Sequence, residues 1–163
     1  MDNKSLKIKY MTEAISEAKK CVPLDEVPIG AVIVRRGEII ASAGNRRETN
    51  RDATCHAEIS AIREACEKSG GWHLTDCEMY VTLEPCPMCA GAIVNARIDK
   101  VIIGADEEKF GAFGSLFNLC DFGVNHKPEI ERGVLKEECS RLLSEFFRAK
   151  RERGKRFCLR QEK

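Results

Sequence analysis

Two short stretches, His56-Ala57-Glu58 and Pro85-Cys86-Pro87-Met88-Cys89, decide how the rest of the chain is read. One histidine and two cysteines are a complete protein ligand set for a catalytic zinc, which takes three protein ligands and leaves its fourth tetrahedral position to water. Glu58 stands two residues past the histidine, close to the metal and in excess of the ligand count, which marks it as a proton shuttle. The spacing also carries local structure. A helix is expected to open at His56, after Thr54 or Cys55, and a second within the Pro-Cys-Pro-Met-Cys turn, where Pro87 suits a first helical turn. Cys86 and Cys89 then share one face, and the positive end of the helix dipole lowers their thiol pKa. Two such starts beyond the carboxyl ends of neighbouring strands form a rigid cup, placed where α/β proteins put their sites.

A Cys-x-x-Cys alone also suits a thiol–disulfide redox pair or half of a structural zinc knuckle. A structural knuckle needs four ligands, and the chain holds no second Cys-x-x-Cys and no spaced histidine pair. A redox pair leaves His56-Ala57-Glu58 unexplained. His73 lacks such company and is expected to be structural.

Outward from these motifs, residues 5–20 have helical periodicity, with Leu6, Tyr10, Ala14 and Ala18 beside Ile8, Met11 and Ile15. Strand-like runs at 29–34 and 38–43 are joined by Arg35-Arg36-Gly37, a hairpin connection, and a polar loop continues to Thr54. The His56 helix is expected to run to Lys68 with Ile59, Ile62, Ala65 and Cys66 inward, stopped by Ser69-Gly70-Gly71. A strand at 77–83, the helix at 88–96 and a strand at 100–105 follow. Phe110-Gly111-Ala112-Phe113-Gly114-Ser115 reads as irregular turn with no phosphate fingerprint. A short strand is expected within 129–134, and a last helix over 137–153 with Leu142, Leu143, Phe146 and Phe147 inward. Strands alternating with helices define an α/β layered domain with a central sheet. The expected organisation is one domain over 1–155 and a basic tail at 156–163.

Composition narrows the class. Of 163 residues 43% are hydrophobic and 33% charged, an ordinary globular balance. No run approaches the roughly 18 apolar residues of a membrane span, and Met1–Lys7 has no apolar signal region, so a cytoplasmic protein is expected. Nine cysteines are many; apart from Cys86 and Cys89 they are read as small buried apolar residues in a reducing compartment. The net charge is +1, yet Arg148, Lys150, Arg151, Arg153, Lys155, Arg156 and Arg160 crowd the C-terminal end against Glu152 alone. Such local asymmetry is how a nearly neutral protein presents a phosphate-binding surface.

His-x-Glu followed by Pro-Cys-x-x-Cys resembles the signature of the cytidine deaminase-like superfamily, and the chain is similar, more narrowly, to the tRNA-specific adenosine deaminases. The likeness runs from about Tyr10 to about Lys155 in Glu26-Val27-Pro28-Ile29-Gly30-Ala31-Val32, Gly44-Asn45-Arg46-Arg47-Glu48, Thr54-Cys55-His56-Ala57-Glu58-Ile59 and Tyr80 through Ile93. Lys109 to Leu116, Asn125-His126, Gly133-Val134-Leu135 and Phe146-Phe147-Arg148 separate it from free-base deaminases that share the metal motif. Riboflavin-pathway deaminase domains have a longer spacing between the two cysteines.

The resemblance implies a three-layer α/β/α cytidine deaminase-like fold with a central mixed sheet of about five strands. It implies one Zn2+ per subunit, held by His56, Cys86 and Cys89 with Glu58 as catalytic acid–base. It implies a homodimer that binds a tRNA anticodon stem-loop and converts wobble adenosine to inosine, with deamination of free guanine, cytosine or adenosine as the second reading. A non-catalytic nucleic-acid-binding subunit is the third, and the presence of Glu58 counts against it. By position, Asn45 bonds the purine, the Ala57 N–H faces the base, and Val27 and Ile29 shape the pocket. Glu84 and Glu107 fall to the substrate side, Glu107 near the ribose. Asn125 and His126 meet the loop, Phe147 and Lys150 the neighbouring nucleotide, and Arg148, Arg151 and Arg153 phosphates. Two departures carry expectations: Ala53, where the family has proline, loosens the turn before His56, and the Phe113 ring narrows the groove.

Overall fold

The computed structural model describes the backbone of residues 2–161 and the side chains of residues 2–155. Its elements are α1 (Asn3–Lys19), β1 (Gly30–Arg35), β2 (Glu38–Gly44), α2 (Arg47–Asn50), α3 (Ala57–Ser69), β3 (Cys77–Leu83), α4 (Pro87–Asn95), β4 (Lys100–Ala105), β5 (Glu129–Arg132) and α5 (Lys136–Gln161). The strands form a five-stranded sheet in the order β2-β1-β3-β4-β5. β1 is antiparallel to both β2 and β3, whereas β3, β4 and β5 run parallel. The sheet is mixed, as expected from the two kinds of connection: a tight hairpin early and helical crossovers later.

Alternation along the central strands sorts the core into two layers. Ala31, Ile33, Met79, Val81, Val101 and Ile103 face α3 and α4, packing with Ala61, Ala65, Ala90 and Ile93. Val32, Val34, Tyr80 and Ile102 face the other side, with Tyr10, Met11, Ala14 and Ile15 of α1 and Cys139 of α5. Helices on both faces complete the three-layer α/β/α arrangement. The stripe of α3 differs from the expectation. Its buried residues are Ala57, Glu58, Ala61 and Ala65, while Ile59 and Ile62 are only half-buried. Small side chains let the helix lie close on the sheet, so the larger ones are displaced to its flanks. Close approach recurs opposite, where a Cβ at Gly30 would collide with the α1 backbone at Ala14 and Ala18.

Other boundaries moved. The hairpin turns on Arg36 and Gly37, both at positive φ, so two residues suffice. The polar loop before Thr54 contains α2, a single turn anchored by the buried Glu26, whose Oε1 accepts the Thr49 N–H at 2.6 Å. That anchor lies 23 residues away in sequence, outside any local pattern. α5 continues to Gln161, so the expected boundary between domain and tail at 155/156 falls inside a helix. Phe146 of α5 is buried, but Phe147 is 42% exposed and not part of the core. Cys21, Cys55, Cys77 and Cys139 are buried, Cys66 and Cys120 half-buried, and Cys158 lies outside the described side chains. Among the described residues no helix is long and apolar enough to cross a membrane.

Candidate active site

The cup lies beyond the carboxyl ends of β3 and β4, which end at Leu83 and Ala105. His56 and Cys86 are the N-cap residues of α3 and α4, in extended backbone conformation, rather than the first helical residues. Neither side chain makes a capping hydrogen bond. Both instead turn toward each other: His56 Nδ1 lies 3.7 Å from Cys86 Sγ and 3.5 Å from Cys89 Sγ. The three donor atoms all lie within 4.8 Å of one another. A tetrahedral zinc at normal bond lengths to nitrogen and sulfur would separate these atoms by about 3.6 Å. The donor set therefore fits the ion in both chemistry and spacing.

The charges follow from the same geometry. The Cys89 thiol hydrogen-bonds Cys86 and, with His56, pulls the Cys86 thiol down to about 4. Cys89 moves the opposite way because it donates to Cys86 and is buried. His56 is raised, first by its bond to Cys86. One proton is thus already easily lost from the pair, and a bound dication favours loss of the second. Glu58, 4% exposed, is pushed up to about 7, first by burial. Its Oε2 is buried with no hydrogen-bond partner among the described residues. A buried, unpartnered carboxylate oxygen beside three metal donors is costly unless something chemical uses it.

Two adjoining clefts of about 610 and 520 Å³ open onto these residues and share Ile29, Arg47, His56, Leu83 and Glu107. The first is also lined by Val27, Asn45, Ala57 and Phe147, the second by Glu58, Glu84 and Cys86. Asn45 is buried and tied on both sides: its Nδ2 donates to the Val27 carbonyl and its Oδ1 accepts the Arg47 N–H, each at 3.3 Å. One N–H and one lone pair of the amide remain for a ligand. Glu107 is half-buried, with Oε1 accepting the Lys109 N–H at 3.0 Å.

Other expected residues lie elsewhere. Asn125 accepts a bond from Arg97 at 2.6 Å, and His126 Nε2 lies 2.7 Å from the Ile98 carbonyl; neither lines a cleft. Arg148, Lys150 and Arg151 follow Phe147 along α5 outside both clefts, exposed, with Lys150 3.5 Å from Asp25. Glu84 borders the second cleft but does not offer its carboxylate to it. Its side chain has no exposure and both oxygens are held internally. Burial alone would raise that carboxyl; Arg132 and Ser115 outweigh it and hold it below the ordinary value.

Phe113 does not narrow the groove. It is 3% exposed and packs in the core with α4, whereas Phe110, 64% exposed, borders the second cleft. The turn that holds Ala53 is braced by Asp52, whose Oδ1 accepts from both the Thr54 N–H and hydroxyl, at 2.8 and 2.7 Å. Arg47, lining both clefts, went unassigned in the sequence; its position next to Arg46 in a polar stretch carried no sign of which arginine faces the site.

A three-layer fold with a His, Cys, Cys and Glu cup at its strand ends defines a deaminase of the cytidine deaminase-like class. Residues 6–151 match the family model for MafB19-like deaminases. The chain is 53% identical over 147 residues to the tRNA-specific adenosine deaminase of Bacillus subtilis, covering 90% of this chain and 91% of that one. It is 48% identical over 140 residues to the one from Aquifex aeolicus, covering 85% and 92%. Among solved structures, one from work on tRNA:A34 deaminases that edit A to I at the wobble position superposes with TM-score 0.78 at 42% identity, covering 83% and 99%. Guanine deaminase from Nitrosomonas europaea, at 24% identity and TM-score 0.75 with 85% and 83% covered, shares the fold alone. The chain belongs to the MafB19-like deaminases and, within them, to the tRNA-specific adenosine deaminases.

Proposed function

We propose that this chain is a zinc-dependent, homodimeric enzyme that acts in the cytoplasm and hydrolyses the wobble adenosine of a tRNA anticodon to inosine. The observation that carries the chemistry is the buried, unpartnered Glu58 oxygen beside the His56, Cys86 and Cys89 donors. His56, Cys86 and Cys89 would hold the zinc, which would supply a nucleophile at neutral pH by acidifying water. Glu58 takes one proton of the attacking water and delivers it to the purine ring nitrogen, then takes the remaining hydroxyl proton and passes it to the departing amine. Oxygen adds at the amidine carbon, the C–N bond breaks, ammonia leaves and a carbonyl remains. Asn45 and the Ala57 N–H orient the base, Val27 and Ile29 form its walls, and Glu107 and Phe147 stand at the mouth. Met88, an exposed apolar side chain at the second cleft, suits a face covered by a second copy.

The substrate assignment is tested with a synthetic anticodon stem-loop carrying wobble adenosine, run beside a panel of free bases and nucleosides. Inosine is expected in the stem-loop alone; turnover confined to the free panel would keep the chemistry and overturn the substrate. Arg148 and Arg151 are exposed, free of ion pairs among the described residues, and lie next to and one turn beyond Phe147, which lines the first cleft, so they can meet phosphates at its mouth. Reversing both to Glu should weaken stem-loop binding at least about tenfold at low salt and flatten the salt dependence by one to two counterions. Filter binding across a salt series measures both, and an unchanged slope would remove α5 from the interface.

A further inference from the structure

Glu107 and Phe110 border the second cleft, yet both stand on a segment, 106–118, with little regular structure. What holds that segment is a single buried carboxylate. Glu84 Oε1 accepts the N–H groups of Phe113 and Ser115 at 3.1 and 3.0 Å, and Arg132 Nη1 at 3.2 Å. Its Oε2 accepts the Glu107 N–H at 3.1 Å, Arg132 Nη2 at 2.8 Å and the Ser115 hydroxyl. The segment is wound tightly around the carboxylate: a Cβ at Gly111 would collide with it.

Arg132, at the end of β5, closes the other side. Its guanidinium also donates to the Phe113 carbonyl at 2.7 Å, to Asp106 at 2.6 Å and to Ser115 Oγ at 2.9 Å. Asp106 is paired in turn with Lys136 at the start of α5. One planar cation therefore binds the start and the middle of the segment to the strand that leads into the Cys86 turn. Arginine can do this because its donors lie in a fixed fork; an ammonium cannot meet all these acceptors in one plane. Arg132 itself lines neither cleft.

We propose that Arg132 is a positioning residue: acting through Glu84, Ser115 and Asp106, it sets Glu107 and Phe110 against the bound nucleotide. The inference rests on the reading of the clefts as the adenosine site. His56, Glu58, Cys86 and Cys89 are carried by α3, α4 and their caps, so losing the clasp misplaces the substrate more than the reacting groups.

The test compares wild type with Arg132→Met, Arg132→Lys and Ser115→Ala on the stem-loop, reading kcat and KM separately with zinc content. Arg132→Met is expected to lose roughly 10- to 100-fold in kcat/KM, carried chiefly by KM, the scale on which a small misplacement acts. Zinc content should stay at the wild-type level, and Arg132→Lys should recover part of the loss. An unchanged KM in zinc-loaded Arg132→Met would overturn the proposal. Ser115→Ala leaves no charge unpaired and decides the matter if Arg132→Met does not fold: a KM raised about threefold or more, on the scale of one lost hydrogen bond, supports the clasp, and a wild-type KM refutes it. A wild type silent on the stem-loop but active on free bases would instead fail the tRNA reading, and the same KM comparison on that base would still judge Arg132.

Discussion

Glu58→Gln is expected to lower kcat by about 10²- to 10⁴-fold, the range general acid–base catalysis contributes, while zinc content and stem-loop affinity stay at wild-type levels. Glutamine has the volume of glutamate and keeps a carbonyl oxygen in the same buried place, but it cannot take a proton from water or hand one on. The replaced side chain is 4% exposed and has one oxygen without a partner among the described residues, so the substitution removes an ionisable group whose burial is unfavourable. The melting temperature should therefore stay level or rise as activity falls, the usual opposition of stability and function at a site. Single-turnover deamination, metal analysis and thermal denaturation read the three quantities. Turnover within tenfold of wild type would sink the assignment of Glu58 as the proton carrier.

His56→Ala should abolish both zinc binding and activity. The imidazole supplies the lone nitrogen donor of the set, 3.7 and 3.5 Å from the two sulfurs, and two thiolates alone leave a zinc half-coordinated. The variant also leaves Cys86, the readily ionised sulfur of the pair, without the imidazole that hydrogen-bonds it. A ligand that binds the folded state stabilises it by mass action, so chelation should lower the melting temperature of wild type and leave His56→Ala unmoved. Metal analysis after dialysis is the direct measurement. A full zinc complement in the variant would refute the ligand assignment.

Much of this molecule could be read from patterns short enough to sit in one helix or strand. Alternation at 77–83, the apolar run at 100–105, helical spacing in 5–20, and the Pro-Cys-x-x-Cys turn each depend on neighbours in the chain, and the five strands appear close to where they were expected. His56, Glu58, Cys86 and Cys89 were legible because metal geometry constrains residue type and spacing together. The family likeness then supplied roles that spacing could not, and it misplaced some. Glu84 reads like any acidic residue at a motif; its burial depends on Arg132, 48 residues away, and on backbone N–H groups of a segment with no periodicity. Phe113 and Phe110 are both aromatic residues in one glycine-rich run, yet one is core and the other borders a cleft, a difference set by how the run winds around Glu84. The α2 turn depends on Glu26 in the same way. Local periodicity and ligand spacing are properties of the covalent chain. Which polar group is buried, and what it holds in place, depends on partners that meet only once the sheet has formed, because a buried charge is tolerated where distant donors converge on it and nowhere else.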